Sequence, residues 1–387
     1  MQLENVEDVL PLSPTQAGML YHSVSAPRSG VYVEQISCLI DGALDIGKFQ
    51  AAWQDVLARH AALRTAFLWD GLDEPLQVVR QHAVPAWRLE DWSGYAGALK
   101  KVALDAWLAE DRRTGLDLTQ APLMRMLLIR LGDGRHRFVW TCHHLLADGW
   151  STAIVLHEVL RCYAARTSAQ PCNLPQPRQY RDYIAWLKTR QAGESATFWT
   201  GYLRDFTART SLRTRRVAQT YNQSPFHRTL ESRLDDTRTS ALNAAARSLR
   251  VTLNTLMVGA WALLLQRYSG EDDVVFGTTV AGRPAELPNI ESCVGLVINT
   301  LPLSVQLPQH QLLGEWLAAL QQNLLRVRQH EHTPLAKIQE WSDMAAGEAL
   351  FETILVFENY PQQDQKGEEQ AALQVSQLEF REQSNYP

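Results

Sequence analysis

The sequence predicts an α/β fold built from two lobes. Segments rich in β-branched and aromatic residues, which are typical of strands, recur between longer segments with apolar residues at helical spacing. Both halves of the 387-residue chain contain this mixture, and the length suffices for two or three domains or for one large bilobed domain. Because 45% of the residues are apolar and 20% are charged, the composition is that of an ordinary globular protein.

The first half begins with a capped helix and ends at a strand-to-helix turn. After a polar lead-in over residues 1–9, Ser13 as N-cap and Pro14 as first helical residue predict a short helix. Gly132, Asp133 and Gly134 lie between two apolar runs and predict a hairpin. The predicted strands span residues 31–40, 64–69, 75–79, 123–131 and 135–142, and the further predicted helices span residues 45–60, 99–113 and 151–166.

A segment without periodicity separates this half from the next. Residues 167–178 contain Pro, Gln and Ser, so we predict a linker there, with one lobe over residues 1–170 and the second over residues 171–387. Residues 254–269 are so apolar that we expect a buried helix, and residues 362–371 are polar and predicted to be mobile. The other predicted helices span residues 179–191, 194–206, 236–250 and 312–329, and the predicted strands span residues 226–234, 273–280, 294–305, 351–357 and the stretch up to 387.

Charge and cysteine content argue against several classes of protein. With 37 Lys and Arg against 42 Asp and Glu, the net charge is −5, which disfavours a nucleic-acid partner. The cysteines show no CxxC or metal-ligand spacing and predict reduced, mostly buried thiols in a cytoplasmic protein. The acidic start does not resemble a signal peptide, and no apolar run reaches about 18 residues, so no membrane span is expected. The five cysteines are Cys38, Cys142, Cys162, Cys172 and Cys293.

The most reactive side chains of the predicted turn lie in residues 141–151. Their sequence is Thr-Cys-His-His-Leu-Leu-Ala-Asp-Gly-Trp-Ser. Histidine is the side chain best suited to proton transfer near neutral pH. Because successive side chains of a strand point to opposite faces, we assign His144 to a cavity and His143 to a supporting role. The carboxylate of Asp148 can orient an imidazole or bind an arginine. Gly149 permits a positive φ, and its N–H can stabilise an oxyanion.

Two simpler interpretations of these residues stay open. Two core histidines followed by an N-cap aspartate explain the same pattern. A metal site is disfavoured because His143 and His144 cannot chelate one ion from opposite strand faces. The motif has no serine or cysteine nucleophile signature, so direct transfer between two bound substrates fits better than a covalent acyl-enzyme.

The motif His143, His144, Asp148 and Gly149 matches His-His-x-x-x-Asp-Gly, and the sequence resembles the condensation domain of nonribosomal peptide synthetases along nearly its whole length. Six further stretches resemble the other motifs of that family, in order. They are residues 13–20, 59–67, 180–186, 277–283 together with 294–303, 330–335 and 351–361.

The resemblance implies two lobes of chloramphenicol-acetyltransferase type in a V, with an active-site tunnel between them. It implies amide-bond formation, in which the α-amine of an acceptor aminoacyl thioester attacks a donor aminoacyl or peptidyl thioester. Both substrates are carried on 4′-phosphopantetheine of partner carrier domains, so no cofactor bound by the domain itself is expected. The implied partners are an upstream donor carrier, a downstream acceptor carrier and an adjacent adenylation domain. The excised domain is expected to be monomeric.

The resemblance also implies roles for individual residues. His144 positions or deprotonates the acceptor amine, and His143 and Gly149 complete the candidate catalytic set. Asp148 is expected to turn away from the tunnel and to form a structural ion pair with Arg64. Three residues of the first half and two of the second are candidates for lining the tunnel, although core or strand packing explains them equally well. These five are Met19, Tyr21, Trp150, Asn299 and Thr300.

Family members continue beyond the point matching residue 387, so the second lobe is expected to be incomplete. Three functions stay open: peptide-bond formation, a variant chemistry on the same scaffold, and non-catalytic docking of carriers. The variants are dehydration by β-elimination, epimerisation, ester formation and cyclisation. Docking-only domains usually have a broken motif, whereas this motif is intact. Coenzyme-A-dependent acyltransferases of the superfamily tend to keep only one histidine, so His143 favours the synthetase branch.

Overall fold

The computed structural model describes residues 5–190, 192–204, 206, 208–212, 229–308, 310–345, 348–358 and 373–386. The chain forms two compact units, and each is assembled from separate stretches of sequence. Unit one comprises Met1–Thr189, Arg283–Val297 and Tyr360–Asn385, and unit two comprises Arg190–Gly282, Ile298–Asn359 and Tyr386–Pro387.

This division differs from the predicted boundary at residue 170. The helix after the predicted linker belongs to unit one, and two later segments return to it. Val294 and Leu373, which come from those returning segments, join the main hydrophobic core of unit one. A break in periodicity marks a loop, but it does not show which core the following residues join. The predicted lobes were continuous for that reason.

Ten helices and eleven strands are described. The helices are α1 (Pro14–Ser25), α2 (Ile46–Arg59), α3 (Gly97–Thr114), α4 (Gly149–Thr167), α5 (Tyr180–Lys188), α6 (Ala192–Tyr202), α7 (Asp236–Leu249), α8 (Leu253–Ser269), α9 (Leu313–Arg328) and α10 (Leu335–Glu340). The strands are β1 (Val6–Pro11), β2 (Val33–Asp41), β3 (Thr65–Leu68), β4 (Leu76–Arg80), β5 (Ala86–Asp91), β6 (Met124–Gly132), β7 (Arg135–His143), β8 (Asp273–Val280), β9 (Asn299–Gln306), β10 (Ile354–Leu355) and β11 (Gln374–Arg381).

Unit one contains a five-stranded sheet of order β11-β2-β7-β6-β5, in which only the β5–β6 pair is parallel. Residues on one face of β2, β6 and β7 pack with α2 and α4 into the main core. The opposite face of β6 and β7 packs against α3 through Leu108. Since side chains alternate along a strand, neighbouring residues of β7 join different cores: Phe138 and Trp140 join the first, and Val139 joins the second.

A second, antiparallel sheet of unit one has the order β1-β4-β3. Unit two contains a sheet of order β10-β8-β9, with β10 parallel and β9 antiparallel to β8. Its core joins apolar residues of α6, α8 and α9 to that sheet, including Trp199, Val258, Phe276 and Leu317. Each unit therefore has its own hydrophobic core.

Strong local signals predicted their elements correctly. Ser13 caps α1 and forms a capping box with Gln16, and Pro14 opens the helix. The hairpin of β6 and β7 turns at Gly132, Asp133 and Gly134, all of which have positive φ. Predicted residues 273–280 coincide with β8.

Weaker signals failed. Strands β1 and β5 were not predicted, because their sequences mix exposed polar residues with the apolar ones. The described part of the predicted strand 226–234, residues 229–234, contains no strand, and residues 226–228 lie outside the described residues. Helix α8 buries only one face, and Leu263, Leu264 and Tyr268 on its other side are exposed. The predicted mobile stretch 362–371 lies outside the described residues.

The prediction of five reduced cysteines was wrong for two of them. Cys162 in α4 and Cys172 in the following loop form a disulfide, ten residues apart in sequence. The loop folds back and brings the two Cα atoms to 5.1 Å, which spacing along the sequence does not reveal. Cys38, Cys142 and Cys293 are free and buried, as expected. Burial raises the pKa of Cys38 and of Cys293 to about 12.

In the described part of the chain, no single helix combines the length and apolar character that a membrane crossing requires. Helices α7 and α8 pass such a test only when taken together, and the pair is bent by 98°.

Candidate active site

His143 is the last residue of β7 and is fully enclosed in unit one. Its Nδ1 accepts a hydrogen bond from the Leu145 N–H at 3.2 Å. The proton of the neutral ring must then lie on Nε2, which is 3.3 Å from the Ser23 hydroxyl oxygen. Burial, with a smaller contribution from the neighbouring His144, lowers the pKa of His143 to about 3. Both nitrogens of His143 are therefore engaged and the ring carries no charge near neutral pH, while its catalytic role stays a prediction.

His144 starts the turn that follows β7. Its backbone N–H donates to the Tyr32 carbonyl at 2.9 Å, which ties the turn to the start of β2. Its Nδ1 lies 2.7 Å from the Ala147 carbonyl oxygen. Because a carbonyl can only accept, Nδ1 carries a proton, and in the neutral ring the lone pair therefore lies on Nε2. No residue in the described ranges hydrogen-bonds Nε2. The side chain is 15% exposed.

The surroundings of His144 favour its protonated form. Burial by itself opposes a positive charge on the ring. The Glu34 carboxylate, the Ala147 carbonyl and the more distant carboxylates of Glu382 and Asp148 outweigh burial and raise the pKa of His144 above its usual value. The two adjacent histidines therefore have opposite pKa shifts: His143 is held in its neutral form, and the protonated form of His144 is favoured.

Asp148 braces the start of α4. It is the N-cap of this helix and accepts from the Ser151 N–H and from the Ser151 hydroxyl, both at 2.8 Å. The two guanidinium NH groups of Arg283 reach its two carboxylate oxygens, each at 3.1 Å. Both side chains are buried, with exposed fractions of 0% and 6%. Burial would raise the pKa of Asp148, but Arg283 and Ser151 more than reverse this effect and lower it.

The predicted pair of Asp148 with Arg64 is wrong. Arg64 follows α2 in a short 3-10 turn, Ala61–Arg64, and donates from Nε to the Leu57 carbonyl at 2.9 Å. Its Nη1 forms an ion pair with Glu7 at 2.7 Å. Arg64 thus binds the C-terminal carbonyls of α2 and the strand β1. The partner of Asp148 was missed because Arg283 is 135 residues away in sequence, although a single arginine in a Gly- and Pro-containing loop was a usable signal.

Gly149 and Trp150 occupy the first turn of α4. Gly149 has helical backbone and does not use the positive φ that glycine permits. As the first helical residue, it has an N–H without an intrahelical acceptor. The Trp150 indole N–H donates to the Glu291 carbonyl at 2.9 Å, and the Arg283 guanidinium lies 5.2 Å from the indole centre. Trp150 therefore contacts the segment Arg283–Val297.

The other candidate lining residues have separate surroundings. Met19 packs against the main core of unit one, and Tyr21 is 67% exposed beside His22. In unit two, the Asn299 amide donates to the carbonyls of Glu331 and Thr333 at 2.9 and 2.8 Å. The Thr300 hydroxyl lies 3.5 Å from that of Thr279 on the neighbouring strand. Their role in lining a tunnel stays a prediction.

Glu34 is a residue of this site that the sequence interpretation missed. It lies in β2 opposite Cys142 of β7, with its side chain 11% exposed. One carboxylate oxygen is 3.2 Å from Nδ1 of His144. Burial, the largest effect, raises the pKa of Glu34 to about 7. The signal was present in the sequence, because Glu34 interrupts an alternation whose other members, Ile36, Cys38 and Ile40, are apolar.

Within the described ranges, no group of three or more His, Cys, Asp or Glu residues is arranged to hold a metal ion. The reactive groups of the turn are an imidazole whose Nε2 has no hydrogen bond among the described residues, a backbone N–H at a helix start and a nearby carboxylate. These groups can accept a proton, stabilise a negative oxygen and balance a positive charge.

Comparison with known proteins identifies the family. The family model described as "Condensation domain" matches residues 6–387. The chain is 41% identical over 386 residues to a linear gramicidin synthase polypeptide of Brevibacillus parabrevis, covering all of this chain and 8% of that protein. It is 35% identical to a plipastatin synthase polypeptide of Bacillus subtilis and 32% identical to surfactin synthase subunit 3 of the same species. The match to the plipastatin synthase covers 100% of this chain and 15% of that protein. The match to the surfactin synthase covers 99% of this chain and 30% of that protein. The chain thus spans less than a third of these relatives.

Solved structures show the same fold. The first condensation domain of the calcium-dependent antibiotic synthetase, in complex with a substrate analogue, superposes with a TM-score of 0.77 at 22% identity, over 97% of this chain and 84% of that one. A four-domain nonribosomal peptide synthetase bound to AMP and glycine matches 94% of this chain with a TM-score of 0.78 at 19% identity, over 28% of its own length. With the intact His-His-x-x-x-Asp-Gly turn and the match over residues 6–387, the chain belongs to the condensation-domain family of nonribosomal peptide synthetases.

Proposed function

We propose that this domain forms an amide bond between two substrates that carrier domains present as thioesters of 4′-phosphopantetheine. The observation that supports this proposal best is the state of His144. In the neutral ring the Ala147 carbonyl holds the proton on Nδ1, so Nε2 has the lone pair, and the ring is partly exposed. A ring in this tautomer is suited to accept a proton from an amine.

In this proposal, the α-amine nitrogen of the acceptor attacks the carbonyl carbon of the donor thioester. A C–N bond forms, the C–S bond breaks, and the proton released by the amine moves to Nε2 of His144. The imidazolium then returns this proton to the departing pantetheine thiolate. The N–H of Gly149 is our candidate donor to the carbonyl oxygen, which becomes negative in the tetrahedral intermediate. No covalent acyl-enzyme is needed.

The proposal includes the partners implied by the resemblance: a donor carrier, an acceptor carrier and an adenylation domain. It also includes a cytoplasmic location. The relatives that match the whole of this chain are synthase polypeptides of which it covers 8–30%, which supports a role as one part of a larger assembly. The V of two lobes with a tunnel stays a prediction.

The test is to load a donor and an acceptor carrier with aminoacyl-pantetheine and to follow both by intact-protein mass spectrometry. The wild-type domain is expected to add the donor acyl mass to the acceptor. His144→Ala is expected to slow this transfer by about 100-fold or more while the protein stays folded and keeps a cooperative thermal transition. His82→Ala, an exposed histidine away from the turn, is the matched control and should transfer at the wild-type rate.

The same spectra contain the results that would contradict amide formation. Loss of water from the donor alone would favour the dehydrating variant of the family. Unchanged masses with carrier binding retained would favour a docking domain. Transfer by His144→Ala at the wild-type rate would remove the role proposed for its imidazole.

A further inference from the structure

We propose that Glu34 is a positioning residue for His144. Its buried carboxylate holds the imidazole in the Nδ1–H tautomer and balances the positive charge that forms when Nε2 accepts a proton. This inference rests on the function proposed for His144 and assigns a role to a residue outside the His-His-x-x-x-Asp-Gly motif.

The first argument is the placement of Glu34 in the sheet. Strands β2 and β7 are antiparallel, with Glu34 directly opposite Cys142. Paired residues share a face, and on this face Ile36 and Cys38 of β2 belong to the hydrophobic core. Placing a carboxyl group there costs free energy unless the group is paired. Glu34, at the end of an otherwise apolar strand face, therefore lowers the stability of the fold unless its carboxyl group is paired.

The second argument is the partner that the carboxylate finds. Its Oε1 is 3.2 Å from Nδ1 of His144, and its Oε2 is 3.8 Å from the weakly donating thiol of Cys142. Among the described residues, His144 is the only ion-pair partner of Glu34. The Ala147 carbonyl accepts from the same Nδ1 at 2.7 Å. A carbonyl and a carboxylate on one side of the ring both require a proton on Nδ1, which leaves Nε2 as the base.

The third argument is that the motif carboxylate is already engaged. The charge of Asp148 is balanced by a bidentate ion pair with Arg283, and its carboxylate also accepts a hydrogen bond from the Ser151 N–H. It contributes to the field at His144, but its lone pairs are directed to other donors. Glu34 is therefore the carboxylate that is close enough to respond when the charge of the imidazole changes.

The pKa values of Glu34 and His144 depend on each other and on the titratable groups around them. Burial raises the pKa of Glu34 to about 7, while Glu34 contributes to raising the pKa of His144. Losing the carboxylate should therefore lower the pKa of His144 and weaken its imidazolium form. The titratable groups facing the pair are His143, Cys142, Asp148 and Glu382.

The test is the substitution Glu34→Gln, which keeps the shape and removes the charge. Titration of the histidine ring signals by NMR is expected to show the His144 midpoint at lower pH than in the wild type. The acidic limb of the pH profile of amide formation should move in the same direction. We expect the rate at the wild-type optimum to fall by about tenfold or more. Glu34→Asp keeps the charge on a shorter side chain and should restore part of the NMR shift.

Glu382→Gln is the matched control. It removes another carboxylate of unit one that acts on His144 through its charge, without a hydrogen bond to the ring among the described residues. Its effect on the His144 midpoint should be smaller than that of Glu34→Gln. If Glu34→Gln does not fold, the His144 midpoint of Glu34→Asp is compared with that of Glu382→Gln. A larger shift in Glu34→Asp supports the proposal, and a shift that is no larger than that of Glu382→Gln overturns it.

An unchanged His144 midpoint in Glu34→Gln would overturn the proposal, whatever the domain catalyses. A lowered midpoint with an unchanged pH profile would overturn the role in the reaction. The NMR titration needs no substrate. If the wild type forms no amide while the midpoint moves as expected, the proposed function fails and the pairing of Glu34 with His144 is supported.

Discussion

Two adjacent imidazoles of one turn have opposite protonation behaviour, and their hydrogen bonds explain why. His143 uses Nδ1 as an acceptor from a backbone N–H, so a second proton on this ring would face a donor. His144 uses Nδ1 as a donor to a carbonyl, with a carboxylate at 3.2 Å. Two neighbouring residues of the backbone thus differ in whether their surroundings oppose or favour a protonated ring.

The depressed pKa of His143 predicts a loss of stability in mild acid. The folded protein keeps this ring neutral down to about pH 3, whereas the unfolded chain protonates it below about 6.5. The contribution of the neutral ring to the free energy of unfolding is therefore fully present above pH 6.5. It is lost as the pH falls, and the loss is about 2 kcal/mol at pH 5. The measurement is urea unfolding of wild type and His143→Gln between pH 5 and pH 8.

Because other groups titrate in both proteins, the difference between them isolates His143. The gap in unfolding free energy between wild type and His143→Gln should narrow as the pH is lowered. A gap that is constant from pH 8 to pH 5 would show that the ring is not held neutral in the folded state.

The ion pair of Asp148 with Arg283 predicts strong coupling between the two residues. Removing one partner leaves the other charge buried, so Asp148→Ala should lower the unfolding free energy by about 3–5 kcal/mol. The double substitution with Arg283→Ala should cost clearly less than the sum of the two single ones. Urea unfolding of the four proteins in this cycle measures the coupling.

Arg64→Ala is the matched control for that cycle. Arg64 is also a buried arginine, but its ion-pair partner is Glu7. Its effect should add to that of Asp148→Ala within about 0.5 kcal/mol. Equal coupling of Asp148 to both arginines would contradict the pairing seen in the structure.

At the scale of elements, the strand β7, its turn and α4 are held by the segment Arg283–Val297. Besides Arg283, this segment contributes the Gly295 N–H, which donates to the Ser151 hydroxyl oxygen at 3.1 Å, and the Val297 N–H, which donates to Asp148 at 3.3 Å. The Tyr180 hydroxyl of α5 donates to the Leu296 carbonyl at 2.8 Å. The His-His-x-x-x-Asp-Gly turn therefore depends on a segment that is distant in sequence.

The close approach of this segment to α5 predicts the effect of a single methyl group. A Cβ at Gly295 would overlap the buried ring of Tyr180. Gly295→Ala is expected to lower the unfolding free energy by about 1–3 kcal/mol through overpacking. Gly97→Ala, in α3 with open space around it, is the control and should be neutral or slightly stabilising. Thermal melts of the two variants test this, and equal stability would contradict the close packing.

At the scale of the whole molecule, unit one is discontinuous in sequence, and its core depends on the later segments. A fragment of residues 1–189 lacks the strand β11, the core residues Val294 and Leu373 and the arginine that neutralises Asp148. It would expose the edge of β2 and leave a buried carboxylate unpaired. We expect this fragment to aggregate or to unfold without a cooperative transition.

Size-exclusion chromatography and a circular-dichroism melt of the fragment, beside the full chain, measure this. A monomeric fragment with a sharp transition close to that of the full chain would show that the first 189 residues form an autonomous domain.

The sequence by itself determined the α/β class, most helices and strands, the His-His-x-x-x-Asp-Gly turn and the family. These features depend on local patterns, such as the Ser13 cap, the glycine hairpin before β7 and the alternation of apolar residues, and such patterns can be read within a few turns of chain. Alternation also predicted that only one of His143 and His144 can face a given cavity, although the strand ends at His143.

Only the tertiary structure decided which distant groups meet. Arg283 rather than Arg64 pairs with Asp148, Cys162 pairs with Cys172, and Glu34 lies beside His144. Each contact joins residues that are distant in the local sequence pattern. The sequence around a charged residue or a thiol does not identify the residue that it will contact in the folded chain. The division into units has the same origin, because the free energy of a shared core depends on which surfaces are buried together and not on their order along the chain.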